Sequence, residues 1–461
     1  MEERPTLTRR QLLSRAGSGL GVLGLAGLLA EAQEGDPRRS NPLSVRTPHH
    51  PPRAKRVIFL YMPGGPSQID TFDPKPRTLA DTGKPLPLTQ LGLTRVVPGK
   101  LLGSPWKFEK RGQSGIEVSE LFPRLAEQVD ELCILRSMVA DNISHPGAYR
   151  QMHTGEETSS RPSLGSWLLY GLGSENQNLP GFVVISPQET QGAMGWSSGF
   201  LPAAYQGTYV SDLVHPIANL GGARPAAEQQ KSLELLRRLN GRHAQERPDD
   251  SGLEARIASF ELAFRMQTEA PEAFDVDRES EATKRLYGLN RKEAQTYGRQ
   301  CLMARRLVER GVRFVEVFTP VNWDHHEKIR TGLPANCASV DVPIAGLLRD
   351  LRARGLLDDT LVVWGGEFGR TPTAEGTDGR DHHPHGFTMW MAGGGVKGGQ
   401  VYGSTDEFGW AAQDPKVHVH DLHATILHLM GIDHEKLTYR YGGRDYRLTD
   451  VYGNVVRAIL A

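Results

Sequence analysis

The chain has 461 residues, with 54 basic against 54 acidic side chains, 38% hydrophobic residues and 23% charged ones. Those values describe an ordinary globular protein with a large core, built as one large domain or one domain with insertions. The balanced charge, with no basic run after the first ten residues, excludes a nucleic-acid partner, and three widely spaced cysteines, Cys133, Cys301 and Cys337, match no zinc pattern and read as buried free thiols.

In chain order, Thr8-Arg9-Arg10-Gln11-Leu12-Leu13, a glycine-rich apolar stretch over 16–30 and the small-x-small site Ala30-Glu31-Ala32 predict a twin-arginine export signal over residues 1–32. The apolar stretch is shorter than the roughly 20 residues a bilayer span needs, so no stable span is expected after cleavage. Residues 33–55, rich in proline, arginine and serine, predict a flexible lead-in. The domain then runs over 56–461. Val57-Ile58-Phe59-Leu60-Tyr61-Met62 reads as a buried strand that enters a glycine- and proline-rich loop carrying Asp70 and Asp73. Either carboxylate is an oxygen ligand at the strand's carboxyl end, or both are turn and cap residues.

Residues 78–115 read as loop, and Leu121, Leu125, Val129 and Leu132 recur at helical spacing before a strand at Cys133-Ile134-Leu135. The following loop places Ser144 and His145 ahead of a helix over 148–153, with Pro146 near its start. A helix N-terminus attracts anions, so Ser144 is a nucleophile or anion contact there, or a plain N-cap. A short helix at 163–170 and a central strand at 182–185 follow. A rim loop over 191–222 and three polar helices near 226–247, 253–268 and 280–310 then form a loop and helical insertion at about 190–310.

A strand at 312–318 delivers Asp324, His325, His326 and Glu327. Asp324 and His326, two apart in an extended loop, can turn toward one ion, and pairing carboxylate with imidazole suits zinc, manganese or iron better than calcium. After a helix over 341–354, Leu361-Val362-Val363-Trp364 reads as a buried parallel strand and Phe387-Thr388-Met389-Trp390-Met391 as a second. The polar loop between them holds Glu367, Arg370, Asp378, Arg380, Asp381, His382, His383 and His385 just past a strand's carboxyl end, where open α/β sheets hold ligands. Both clusters follow strands, which favours one shared divalent-metal site, with His325, His383 and His385 in reserve. The run from Ala392 to Gly399 has neither a P-loop ending nor dinucleotide spacing and reads as a turn. In a last helix over 421–430, His423 and His428 read as packing or surface residues.

The runs GGPSQIDTFDPKP, WDHH, GGEFGRTP and DHHPHGFTMWMAGGGVKGG, behind a twin-arginine signal, resemble the exported bacterial proteins classed as domain of unknown function 1501, and the resemblance covers nearly all of the mature chain. That family is similar to the alkaline phosphatase and sulfatase superfamily. The resemblance implies an alkaline phosphatase-like three-layer α/β sandwich with a mostly parallel central sheet and metals at the strands' carboxyl ends. It carries Asp70 or Asp73 over as the first-loop acid, Asp324 and His326 as the Asp/His pair, Glu367 as the late acid and His382 as the last ligand, with His383 beside it. Three departures stand out. Phe368 stands where histidine usually follows the late acid, glycines and proline replace the first-loop acidic pair, and His145-Pro146-Gly147-Ala148-Tyr149-Arg150 puts histidine in or beside the nucleophile slot. Either the chemistry has moved to Ser144, or His145 acts as general base for a metal-bound water or as a further ligand, or the site binds without covalent turnover. The function implied is an exported, periplasmic or secreted metal-dependent hydrolase of small-molecule or glycan sulfate or phosphate esters, with Arg370 or a neighbour holding the anion. The competing reading is a non-catalytic protein that keeps the metal and binds a glycan or a partner.

Overall fold

The computed structural model describes residues 41–87, 99–186, 192–216 and 270–461, together with scattered positions between 231 and 266. The export signal and most of the first two insertion helices lie outside the described residues. Among the described residues nine strands form the central sheet: β1 (Arg56–Tyr61), β2 (Leu132–Val139), β3 (Phe182–Ile185), β4 (Thr208–Val210), β5 (Phe314–Phe318), β6 (Thr360–Gly365), β7 (Phe387–Ala392), β8 (Gln400–Tyr402) and β9 (Val417–His418). Their order across the sheet is β8-β2-β7-β6-β1-β5-β3-β4, and β9 also pairs with β2. The pairings β1/β5, β1/β6, β3/β5, β3/β4, β2/β8 and β2/β9 are all parallel.

Every residue of β3, β5, β6 and β7 is buried, because helices cover both faces. Side chains alternate between two cores, as period-2 geometry requires. Ile58, Leu60, Val315, Val317, Val362 and Trp364 face the helices α3 (Gln295–Glu309) and α4 (Ile329–Ala353). Val57, Phe59, Tyr61, Phe314, Leu361 and Val363 face α1 (His145–Thr154), α2 (Leu164–Leu172) and α5 (Val419–Leu429). The result is a three-layer α/β sandwich with a mostly parallel sheet.

Several expectations change in the structure. The strand at 387–391 was expected to be parallel, but β7 is antiparallel to both β2 and β6. Between β6 and β7 the chain forms only a two-residue ladder of Gly369–Arg370 against His382–His383, and without a crossover helix a neighbouring strand returns antiparallel. The apolar spacing over 121–132 forms a 3-10 helix, Leu125–Glu131, whose first amides are held by the Asp341 carboxylate, with Leu125 N donating at 2.7 Å. The described part of the rim loop holds two 3-10 turns and β4, so it completes the sheet edge. The helix expected at 280–310 breaks into Glu281–Leu286 and α3 around Gly288, whose φ is +75°. α4 starts at Ile329, well before the expected 341, and runs through Pro334 and Pro343. The lead-in is held from Leu43 onward: Leu43 is buried, and Arg53 and Ala54 donate their amides to Leu429 O at 2.8 and 2.9 Å. All three cysteines are free and buried.

Because β7 runs antiparallel to its neighbours, its N-terminal lead reaches the same sheet edge as the carboxyl ends of β1, β2, β5 and β6. Five segments distant in sequence meet there.

Candidate metal centre

Four of those segments supply one cluster. The loop after β5 brings Asp324 and His326, the lead into β7 brings His382, the loop after β2 brings His145 at the head of α1, and the segment after β6 brings Glu367 and Arg370. Ligand atoms of His145, Asp324, His326 and His382 all lie within 4.8 Å of one another. Asp324 is the hub: its Oδ1 is 2.9 Å from His326 Nε2 and 3.2 Å from His382 Nε2, and its Oδ2 is 3.2 Å from His145 Nε2.

Each imidazole is fixed from behind at Nδ1. His382 Nδ1 donates to Ile143 O at 2.7 Å, His145 Nδ1 to Glu367 Oε1 at 2.6 Å, and His326 Nδ1 to the Glu375 carboxylate. A carbonyl or carboxylate oxygen only accepts, so the proton of each neutral ring sits on Nδ1 and the Nε2 lone pair points inward. The Nε2 atoms of His326 and His382 are 2.9 Å apart, and the buried His145 Nε2 has no hydrogen bond of good geometry. Three lone pairs and a carboxylate converging in this way are reconciled only by a proton or a cation. The pattern of a carboxylate or carbonyl behind each histidine is the one that orients metal-ligating imidazoles.

Charge follows the geometry. Burial works against ionised Asp324, but His145, His382 and the Arg370 guanidinium beside it outweigh it and hold the carboxyl far below the usual range. Burial likewise opposes charge on His145, but the Asp324 and Glu367 carboxylates on either side of it prevail and raise its pKa to about 9.

Of the residues singled out in the sequence, His145, Asp324, His326 and His382 meet at this point. Glu367 lies one layer behind. It is 1% exposed and receives Gly64 N at 2.9 Å, Tyr61 Oη at 2.7 Å and His145 Nδ1, so both oxygens are occupied in holding His145. Gly64 has φ +104°, and a Cβ there would run into Asn322 and the backbone of Trp323 and Asp324, so only glycine lets its amide approach Glu367. Arg370 is fully buried, and its donors go to Gly64 O, Gly65 O (3.1 Å), Arg380 O (3.0 Å) and Asp324. It orients Asp324 and has no open fork for a substrate anion.

Asp70, Asp73 and His383 stand apart from the cluster. Asp70 accepts from Arg380 Nε at 2.8 Å and Nη2 at 3.1 Å and from Ser67 Oγ at 2.6 Å. Asp73 pairs with Lys75 at 3.0 Å and accepts from Thr405. His383 is buried, donates Nε2–H to Trp410 O and is lowered to about 3 by burial. Ser144 is the N-cap residue of α1, exposed, and its hydroxyl makes no cap hydrogen bond. His423 is buried on Met152 O at 2.7 Å, away from the cluster. Two participants carried no sequence signal. Glu375 sits in a turn closed by Gly379, and the carbonyl of Ile143 is legible only from coordinates. Glu375 and Asp381 form a second, more open group with His326.

A family model described as "Protein of unknown function (DUF1501)" matches residues 54–460. No curated protein matches the sequence. Among solved structures, the chain is similar to the PsFucS1 sulfatase from Pseudoalteromonas sp. (13% identity, TM-score 0.36, covering 83% of this chain and 69% of that one). It is also similar to an alkaline phosphatase superfamily protein from Vibrio parahaemolyticus (12%, TM-score 0.37, 85% and 70%). A third is the alkaline phosphatase from the Antarctic bacterium TAB5 (9%, TM-score 0.33, 84% and 99%).

Proposed function

The chain belongs to the DUF1501 family, and from the geometry of its centre we propose an exported, metal-dependent hydrolase of sulfate or phosphate esters, glycan esters among them. The observation that carries this reading is the set of three imidazoles, each fixed at Nδ1 and turned by Nε2 onto one Asp324 carboxylate. His145, Asp324, His326 and His382 would hold the ion, and three nitrogens with one carboxylate suit zinc, manganese or iron better than calcium. When bound, the ion supplies a Lewis acid for an ester oxygen.

The remaining residues position and protonate. Arg370 fixes the Asp324 carboxylate, Glu367 fixes His145, and Tyr61, whose hydroxyl burial keeps protonated, fixes Glu367. Ser144 heads α1, whose N-terminal dipole end favours an oxyanion, and its unbonded hydroxyl is the nucleophile on a covalent route. On the direct route water attacks and Ser144 is a bystander. The full engagement of Arg370 favours a second reading, a metal-containing binding protein without turnover, because no guanidinium is left open in the cluster. The arginine pair at Arg9 and Arg10 supports export by the twin-arginine route, and among the described residues no helix is long and apolar enough to cross a membrane.

The test is metal analysis of the purified protein together with a screen of aryl sulfates and aryl phosphates, with and without chelator. A stoichiometric transition metal and chelator-sensitive ester cleavage are expected. A metal-loaded protein inert toward both ester classes selects the binding reading, and a protein with no metal affinity ends both.

A further inference from the structure

A second concavity lies apart from the metal centre, where the C-terminal end of α1 meets the start of α5 and the segment 450–454. It encloses about 870 Å³, within the range of small-molecule sites. Six carboxylates line it, from Asp141, Glu156, Glu157, Asp421, Glu435 and Asp450, and no lysine or arginine does. Arginines reach three of the six from behind: Arg161 pairs with Glu156 at 2.7 Å and with Asp450 at 3.1 Å, Arg444 also pairs with Asp450, and Arg447 pairs with Glu435 at 3.5 Å. Asp141 pairs instead with His418, itself part of the wall, at 3.0 Å, and among the described residues Glu157 and Asp421 keep no cationic partner, so the cleft is net negative. Its amide donors are already taken, since Gln151 Nε2 donates to Asp141 and Asn454 Nδ2 to Asp421.

An independent observation comes from His420, which forms part of the wall and is 5% exposed. Its Nε2–H donates to Gly155 O at 2.9 Å, which leaves Nδ1 as an acceptor, and that buried atom has no hydrogen-bond partner. Burial also lowers the pKa of this ring, in keeping with a neutral, accepting imidazole. Over His420 lies Tyr452, with ring centroids 5.2 Å apart and planes 4° apart, and Tyr452 is 62% exposed, so one aromatic face is covered and the other open.

We infer that this cleft binds a ligand bearing a primary ammonium group, an amino sugar or a polyamine. An ammonium brings three donors and a positive charge to a wall that offers acceptors and negative charge. The open face of Tyr452 adds the aromatic surface that favours a cation or a sugar ring. A bare metal ion fits less well. Among the described residues, no three of these carboxylates bring ligand atoms within 4.8 Å of one another, so the charge is spread over a ligand-sized wall rather than gathered at one point.

Occupancy of this cleft does not depend on the metal centre and is read by binding alone. Calorimetric titration of the purified protein at low ionic strength with glucosamine, N-acetylglucosamine, spermidine and calcium chloride tests it. Glucosamine or spermidine should bind at millimolar concentration or tighter, and N-acetylglucosamine, which has the ring without the cation, about tenfold more weakly or not at all. Binding of spermidine without glucosamine identifies a polyamine site, and the reverse an amino-sugar site. Glu157→Gln and Tyr452→Ala, both at partly open positions, should each weaken the amine about fivefold or more with the thermal midpoint unchanged. Equal affinity for the two sugars, no binding of either amine, displacement of the amine by equimolar calcium, or indifference to both substitutions each overturns the inference.

Discussion

Glu367→Gln separates a ligand from a residue that holds a ligand. In the structure both Glu367 oxygens are occupied, by Gly64 N and His145 Nδ1 on one side and Tyr61 Oη on the other, at 2.6 to 2.9 Å. Glutamine keeps the shape and one accepting oxygen but removes the charge that burial and His145 have had to balance. Loss of such an outer partner typically lowers metal affinity about 10- to 100-fold, which is about 1.4–2.7 kcal/mol. Turning a charge-assisted hydrogen bond in a buried site into a neutral one should also destabilise the metal-free fold by about 1–2 kcal/mol. The assay is competition for zinc against a chromophoric chelator, run beside urea unfolding of the metal-free protein so that the two effects are read separately. Asp324→Asn, which touches all three imidazoles, is the comparison and should lose the metal altogether. If Glu367→Gln loses metal as completely as Asp324→Asn, Glu367 is itself a ligand. If it binds zinc as the parent does, the Glu367–His145 contact positions nothing.

Two further outcomes are expected. Asp70→Asn breaks a buried pair with Arg380 that has bonds of 2.8 and 3.1 Å and should cost roughly 3–5 kcal/mol in urea unfolding. Metal content should be unchanged, and a folded Asp70→Asn protein without metal would restore Asp70 as a ligand. The buried His153–Glu316 contact at 2.6 Å predicts a pH dependence: burial alone would lower the His153 pKa, but Glu316 outweighs it and the net shift is upward. A histidine raised in the folded state contributes stability that is complete below its unfolded value of about 6.5 and is lost as pH rises through the folded value. Urea midpoints should therefore fall on the alkaline side of about pH 6.5, with that part of the slope absent in Glu316→Gln; a parallel pH profile in the variant refutes the assignment.

Much of the centre was legible because the sheet edge is written into the sequence. Apolar runs at 57–62, 312–318 and 361–364 each end in a polar cluster, and a parallel sheet collects such ends on one side. The role of each acid was not legible. Glu367 as ligand and Glu367 as the holder of His145 both demand a carboxylate at the same place, and only the positions of Tyr61 and Gly64 decide between them. Asp70 looked like a ligand because its partner Arg380 is 310 residues away. Arg370 looked like an anion clamp because an arginine beside acids is usually exposed, whereas here the loops after β1 and before β7 close over it. The direction of β7 followed from the length and content of a connection whose ladder of two residues leaves no period to read.

Ser144 is where chemistry can be tested with little interference from stability. An N-cap serine normally contributes about 1 kcal/mol by accepting a hydrogen bond from the first turn, but here the hydroxyl makes no such bond. The local turn is held otherwise: Asn142 Oδ1 accepts from Ser144 N at 2.8 Å, and Ser144 O accepts from Gly147 N and Ala148 N at 3.1 and 2.9 Å. Ser144→Ala should thus leave the unfolding midpoint and the metal content where they are. A change in turnover then reports on the hydroxyl itself. On the covalent route the variant loses turnover, because no other hydroxyl heads α1 and His145 is already committed between Asp324 and Glu367. An active Ser144→Ala enzyme with normal metal content removes the covalent route and leaves direct attack by water, since neither the fold nor the ion would have changed.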